Sequence, residues 1–189
     1  VEHHSHLQAA ELGLDREADL VTGPHNVLGI ELNEYAAELA RVTVWIGELQ
    51  WRLAHGYEFK TNPVLDTLEH IECRDALLAE GGGEAPWPAA DVVVGNPPYA
   101  RHSSNNGVAS IVSLVQDYKK GFPDLSKPGQ GKHLQNDYVK FIRFIEDRNS
   151  TLPASVVGLI TANTYIDNPT FKGMRLHLLQ SRHFNQFDL

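Results

Sequence analysis

The sequence predicts an α/β domain, a parallel sheet with helices on both faces. Short, continuously apolar runs recur (VLGI, VVVG and VVGLI), as strands buried on both faces require. Between them lie longer segments whose apolar residues return at helical spacing. Three of the four main strands end in a polar group, Glu31, Asp75 and Asn96. In open parallel sheets ligands collect outside this carboxyl edge.

Taken in order, Val1–Leu14 reads as a helix stopped by Gly13, followed by a polar loop to about His25. Asn26–Glu31 is the first strand. Asn33 is the N-cap of a long helix reaching His55, where Gly56 ends it. Ala36, Leu39, Ala40, Thr43, Val44, Gly47 and Leu49 form its expected apolar stripe. Tyr57–Thr67 connects to a second strand, Leu68–Cys73, and the loop Gly81–Pro88 leads to a third, Asp91–Gly95. Helices are expected over Ile111–Lys119 and Gln135–Arg148, a fourth strand over Ser155–Ala162, and a helix over Phe171–Ser181. Phe184–Leu189 begins another strand.

The 189 residues suffice for one core, and they read as a single domain. The 42% apolar and 21% charged fractions are those of a soluble globular domain. No apolar run approaches the roughly 18 residues of a membrane span. No signal peptide is visible, and a lone cysteine, Cys73, fits a reducing cytoplasm. Within a strand, that thiol reads as buried and inert. A net charge of −8 excludes a chain that is basic throughout. Between Arg101 and His133, however, five Lys/Arg face only two Asp. Arg101, His102, Lys119 and Lys120 are therefore the candidates for contact with a nucleic-acid backbone, against the plainer reading of a solvated loop.

The run Asp91-Val-Val-Val-Gly-Asn-Pro-Pro-Tyr99 carries the most chemistry. Two prolines remove two donors and force an extended bend where the strand ends. The corner presents the Asn96 amide, the Pro97 and Pro98 carbonyls and the Tyr99 ring, which suits a flat molecule bearing an amino group. An amine conjugated to a ring is a poor nucleophile. Accepting both of its hydrogens, on Asn96 Oδ1 and the Pro97 carbonyl, draws the nitrogen toward sp³ geometry and localises its lone pair. Positioning and charge complementarity then do most of the work. Glu31, at the tip of its strand, is placed to accept ribose hydroxyls, or else serves as an acid at a helix start. Asp75 is placed to accept from an adenine amino group, or else is a turn aspartate.

VGNPPY, with GIELNEYAAELARVTVWIG upstream and CRDAL between, resembles the amino-methylating DNA methyltransferases, closest to the large adenine-N6 enzymes of bacterial restriction-modification systems. ASVVGLITANTYI and FKGMRLHLL are similar to the strand and helix beyond that family's catalytic corner. The resemblance implies a Rossmann-like S-adenosylmethionine-dependent methyltransferase sheet. Glu31 would take the cofactor ribose and Asp75 its adenine, while Asn96, Pro97, Pro98 and Tyr99 would hold a flipped adenine of double-stranded DNA. Asp137 would fall on a helix backing the methionine end of the cofactor. No metal is implied. RNA-base or protein-glutamine N-methylation poses the same nucleophile problem and stays open, as does a non-catalytic module.

One departure stands out. The family's glycine-rich loop and the strand before it are expected upstream of Glu31, yet residues 1–30 hold only Gly13, Gly23 and Gly29. The reading is therefore a partial catalytic domain without a target-recognition region, inactive alone. Its exposed sheet edges leave a homo-oligomer open. His3, His4 and His6 have no carboxylate at metal-ligand spacing. Gly81-Gly82-Gly83 lacks the Lys-Ser/Thr of a phosphate loop.

Overall fold

The structure is a computed structural model that describes residues 23–57, 68–100 and 108–180. The expected helix over Val1–Leu14 and the strand over Phe184–Leu189 lie outside these residues. The chain divides into two compact units, with the boundary between Ala76 and Leu77.

In the first unit, strand β1 (Gly29–Glu31) pairs in parallel with β2 (Ile71–Cys73), Glu31 opposite Cys73. Both are shorter than their apolar runs suggest, since Pro24–Asn26 makes a 3₁₀ turn and residues 69–70 a turn. Helix α1 (Glu34–Ala54) starts as expected: the Asn33 side chain accepts the Ala36 N–H at 3.0 Å. It ends at His55, and Gly56 follows at φ 74°, a left-handed geometry that glycine adopts freely. The stripe turned inward overlaps the expected one in part: Ala36, Ala40, Val44 and Leu49 are half-buried. Ala37 is fully buried, whereas Leu39, Thr43 and Gly47 face outward. The small Ala37 side chain is the one deepest in the unit, and Arg41 on the same face donates to the Leu68 and Ile71 carbonyls beside β2. Gly29 is opposed by Ile71, whose Cγ2 would lie 3.2 Å from any added Cβ.

In the second unit, β3 (Val92–Gly95) pairs in parallel with β4 (Val156–Leu159), Gly95 opposite Leu159. Parallel pairing matches the sequence reading. Burial on both faces does not: Val94 is 78% and Val156 64% exposed, whereas Val93, Val157 and Leu159 are partly covered. Period-two alternation sends these two sets to opposite faces, and Leu159 packs against the main core. Among the described residues the strands form two separate two-stranded sheets.

The helices of this unit are α2 (Ala109–Gln116), α3 (Asp137–Asn149), a single turn α4 (Thr164–Asp167) and α5 (Lys172–Gln180). The tail of the expected Ile111–Lys119 helix tightens into a 3₁₀ turn over Asp117–Lys119. Further 3₁₀ turns, Pro123–Ser126, Lys132–Gln135 and Pro169–Phe171, carry the Gly- and Pro-containing connections. The core gathers Val115, Tyr118, Leu134, Tyr138, Val139, Phe171 and Met174 around α3.

Helix α3 is buried on nearly every side and still carries ions, each with a partner. Lys140 lies 3.1 Å from Asp137, and Arg143 donates to Asp117 at 2.7 Å. Glu146 lies 3.4 Å from the Tyr118 hydroxyl and 2.9 Å from His177 Nδ1. Burial pushes the Tyr118 phenol well above its ordinary range, and the Glu146 carboxylate adds to the effect.

Candidate functional site

The Asn96–Tyr99 corner leaves the carboxyl end of β3 as the sequence indicates. Pro97 is buried, while Asn96, Pro98 and Tyr99 are exposed. Four contacts fix its position. Beside it, the Ile160 N–H donates to the Gly95 carbonyl at 2.9 Å, keeping the two strands in register to their ends. The Tyr99 hydroxyl lies 2.9 Å from the Ile160 carbonyl and 3.1 Å from Asn96 Oδ1, so its single proton is shared between the two acceptors. The Asp137 N–H donates to the Ala100 carbonyl at 3.0 Å, which ties the corner to the start of α3.

The corner opens onto a cavity of about 450 Å³ lined by Tyr99, His133, Asn136, Tyr138, Ala162, Thr164, Asn168 and Phe171. Four of these are aromatic or imidazole rings. Tyr138 lies 6.1 Å from Tyr99 and 6.3 Å from Phe171, centroid to centroid, with both pairs tilted. Burial raises the Tyr138 phenol above its ordinary range, an effect partly offset by its contact with Thr164 Oγ1 at 3.2 Å. The turn after β4 is held from beneath by Arg175, which donates to the Tyr165 and Asn168 carbonyls at 2.7 and 3.0 Å. Asn168 itself accepts the Thr170 N–H at 2.9 Å.

Only Tyr99 of the cavity lining is a residue singled out from the sequence. The remainder come from the Lys132–Gln135 turn and the start of α3, and from residues 162–171, which follow β4 where the strand is expected to reach Ala162 but ends at Leu159. A signal was available. This Asn- and Thr-rich stretch follows a strand just as Asn-Pro-Pro-Tyr does, and both therefore sit at a carboxyl edge.

Glu31 and Asp75 lie in the first unit, at the ends of adjacent strands. The Arg74 N–H donates to the Glu31 carbonyl at 2.9 Å, which sets Asp75 one residue beyond it. Glu31 Oε1 accepts the Asn33 N–H at 2.8 Å, so this carboxylate orders the helix start. Asn33 is also the cap of α1, and the strand end and helix start are thus one rigid turn. Leu32, between them, is 70% exposed. Two carboxylates and an exposed apolar side chain therefore share one strand edge, the edge of a parallel sheet where ligands ordinarily collect.

The other candidates fare differently. Asp137 is buried, 4% exposed, beside Lys140, and its carboxylate forms an ion pair within α3. Lys120 stays exposed while lying 2.6 Å from Asp117, and Lys119 closes the 3₁₀ turn before it. Arg101 and His102 lie outside the described residues, as do His3, His4 and His6. Cys73 is exposed rather than buried, because β2 ends there; its Sγ lies 3.8 Å from the Leu32 carbonyl. Among the described residues no group of three His, Cys, Asp or Glu could hold a metal ion, and no helix is long and apolar enough to cross a membrane.

No curated protein and no solved structure matches the chain. One family description does match, Eco57I restriction-modification methylase, over residues 25–188. Because that span takes in every strand and every α-helix among the described residues, the chain belongs to the Eco57I restriction-modification methylase family.

Proposed function

We propose that the protein supplies the catalytic corner of an enzyme that transfers a methyl group from S-adenosylmethionine to the N6 amino group of an adenine flipped out of double-stranded DNA. The observation that carries this reading is the Asn96–Tyr99 corner, opening onto an aromatic-walled cavity large enough for a single base. Asn96 Oδ1 and the Pro97 carbonyl accept the two amine hydrogens. When the amine occupies Asn96 Oδ1, the Tyr99 hydroxyl proton goes wholly to the Ile160 carbonyl, 2.9 Å away, so the corner keeps its shape as it takes up substrate. Tyr99, Tyr138 and Phe171 exclude water and hold the ring. Glu31 accepts from the ribose of the donor and Asp75 from its adenine. S-adenosylmethionine supplies an electrophilic methyl group on a sulfonium. Asp137 acts indirectly, by anchoring α3 beneath Ala100. Lys119 and Lys120, with Arg101 and His102, contact DNA phosphates.

Labelled methyl transfer to duplex DNA tests this. Asn96→Ala should lose at least about 100-fold in rate, the scale of removing one preorganised polar group at a reacting centre, with an unchanged melting temperature because the side chain is exposed. Full activity in that variant would refute the assigned chemistry.

A further inference from the structure

Asn136 stands at the N-cap of α3, a position where asparagine ordinarily turns its side-chain oxygen onto the first free N–H groups of the helix. Here it makes no such bond. Its Oδ1 is buried and has no hydrogen-bond partner, although the residue lines the cavity beside Tyr99. Two other polar lining groups are committed, Asn168 to the Thr170 N–H and Thr164 to the Tyr138 hydroxyl. A buried amide edge without a partner is a cost that a native site recovers when something binds. The terminal torsion of asparagine is broad, so a half-turn brings either its oxygen or its NH₂ to the cavity.

We infer that Asn136 is a positioning and specificity residue whose amide hydrogen-bonds the ring edge of the base in this cavity. The inference rests on the adenine reading of the cavity. With both amine hydrogens taken by Asn96 and Pro97, adenine offers only ring nitrogens, all acceptors. The NH₂ of Asn136 is a donor that meets one of them, and it holds the ring in the plane in which the amine faces the corner. Rejection follows from the same contact: a ring with N–H or C–H at that point leaves the amide unpaired.

Methyl-transfer kinetics test this on duplexes whose methylated adenine is replaced by 1-deaza-, 3-deaza- or 7-deazaadenine. Each analogue keeps the amine and loses one ring acceptor. One analogue should lower kcat/KM of the wild type about tenfold, and Asn136→Leu should lower it about tenfold on adenine. On that same analogue Asn136→Leu should cost nothing more. Losses that multiply, or a variant indistinguishable from wild type on adenine, would overturn the inference while leaving the adenine reading intact. If Asn136→Leu fails to fold, the wild type still decides: equal rates on adenine and all three analogues overturn the role. A wild-type enzyme that methylates no adenine overturns both.

Discussion

Asn96 and Tyr99 show how few atoms the chemistry occupies. The amide oxygen of Asn96 is steered by a hydroxyl that also grips the neighbouring strand, through the 2.9 Å contact of Tyr99 with the Ile160 carbonyl. The corner therefore needs no further support to present an acceptor. Removing the hydroxyl alone, in Tyr99→Phe, should cost about 1 kcal/mol of stability, the net worth of one hydrogen bond, read as a lower denaturation midpoint. Methyl transfer should stay within about tenfold of wild type because the ring and Asn96 remain. A loss as deep as that of Asn96→Ala would mean that the hydroxyl itself takes part in the chemistry. At this scale the sequence was most legible. Asn-Pro-Pro-Tyr dictates its own geometry through two prolines. Asn136 was illegible because nothing local tells a capping asparagine from one turned into a cavity.

Elements were legible in kind and less so in extent. Strand and helix types follow from period and composition, and Asn33 marks the start of α1 as expected. Strand ends do not follow: the apolar run continues through Ile160, beyond Leu159 where β4 ends, and hides the turn Thr164–Asp167 behind a longer apparent strand. The inward face of α1 is only partly legible: Ala40 and Val44 lie on it as expected, while Ala37 takes the deepest place and Leu39 faces outward. Close packing between elements is equally invisible in sequence. Gly173, in α5, lies against the backbone of the Asp117–Lys119 turn; an added Cβ would fall 1.8 Å from the Tyr118 carbonyl oxygen. The backbone cannot yield as a side chain does. Gly173→Ala should therefore destabilise by about 3 kcal/mol, the upper range for overpacking, although alanine favours helix. Calorimetry checks this, and an unchanged or raised melting temperature would contradict the packing described here.

At the scale of the whole molecule, the sequence indicated parallel pairing but not the division into two compact units, since composition does not change across Ala76–Leu77. Nor did it indicate the buried ions of α3, because Asp117 and Arg143 are 26 residues apart. Burial opposes ionisation of Asp117, but hydrogen bonds from Lys120 and Arg143 outweigh it and hold the carboxyl below its ordinary range. A lowered folded-state value means that its stabilising contribution is present above the unfolded value, about 4, and is lost as pH falls through the folded one. Denaturant midpoints measured from pH 7 down to pH 3 should therefore fall more steeply for wild type than for Asp117→Asn. Parallel curves would remove Asp117 from the acid response.

The atom that receives the methyl group decides the chemistry of the whole molecule. Duplex DNA incubated with the protein and S-adenosylmethionine, then digested to nucleosides and resolved by mass spectrometry, reads this directly. The account predicts N6-methyladenine as the product, absent when Asn96→Ala replaces the wild type. Methyl groups found only on cytosine would contradict it.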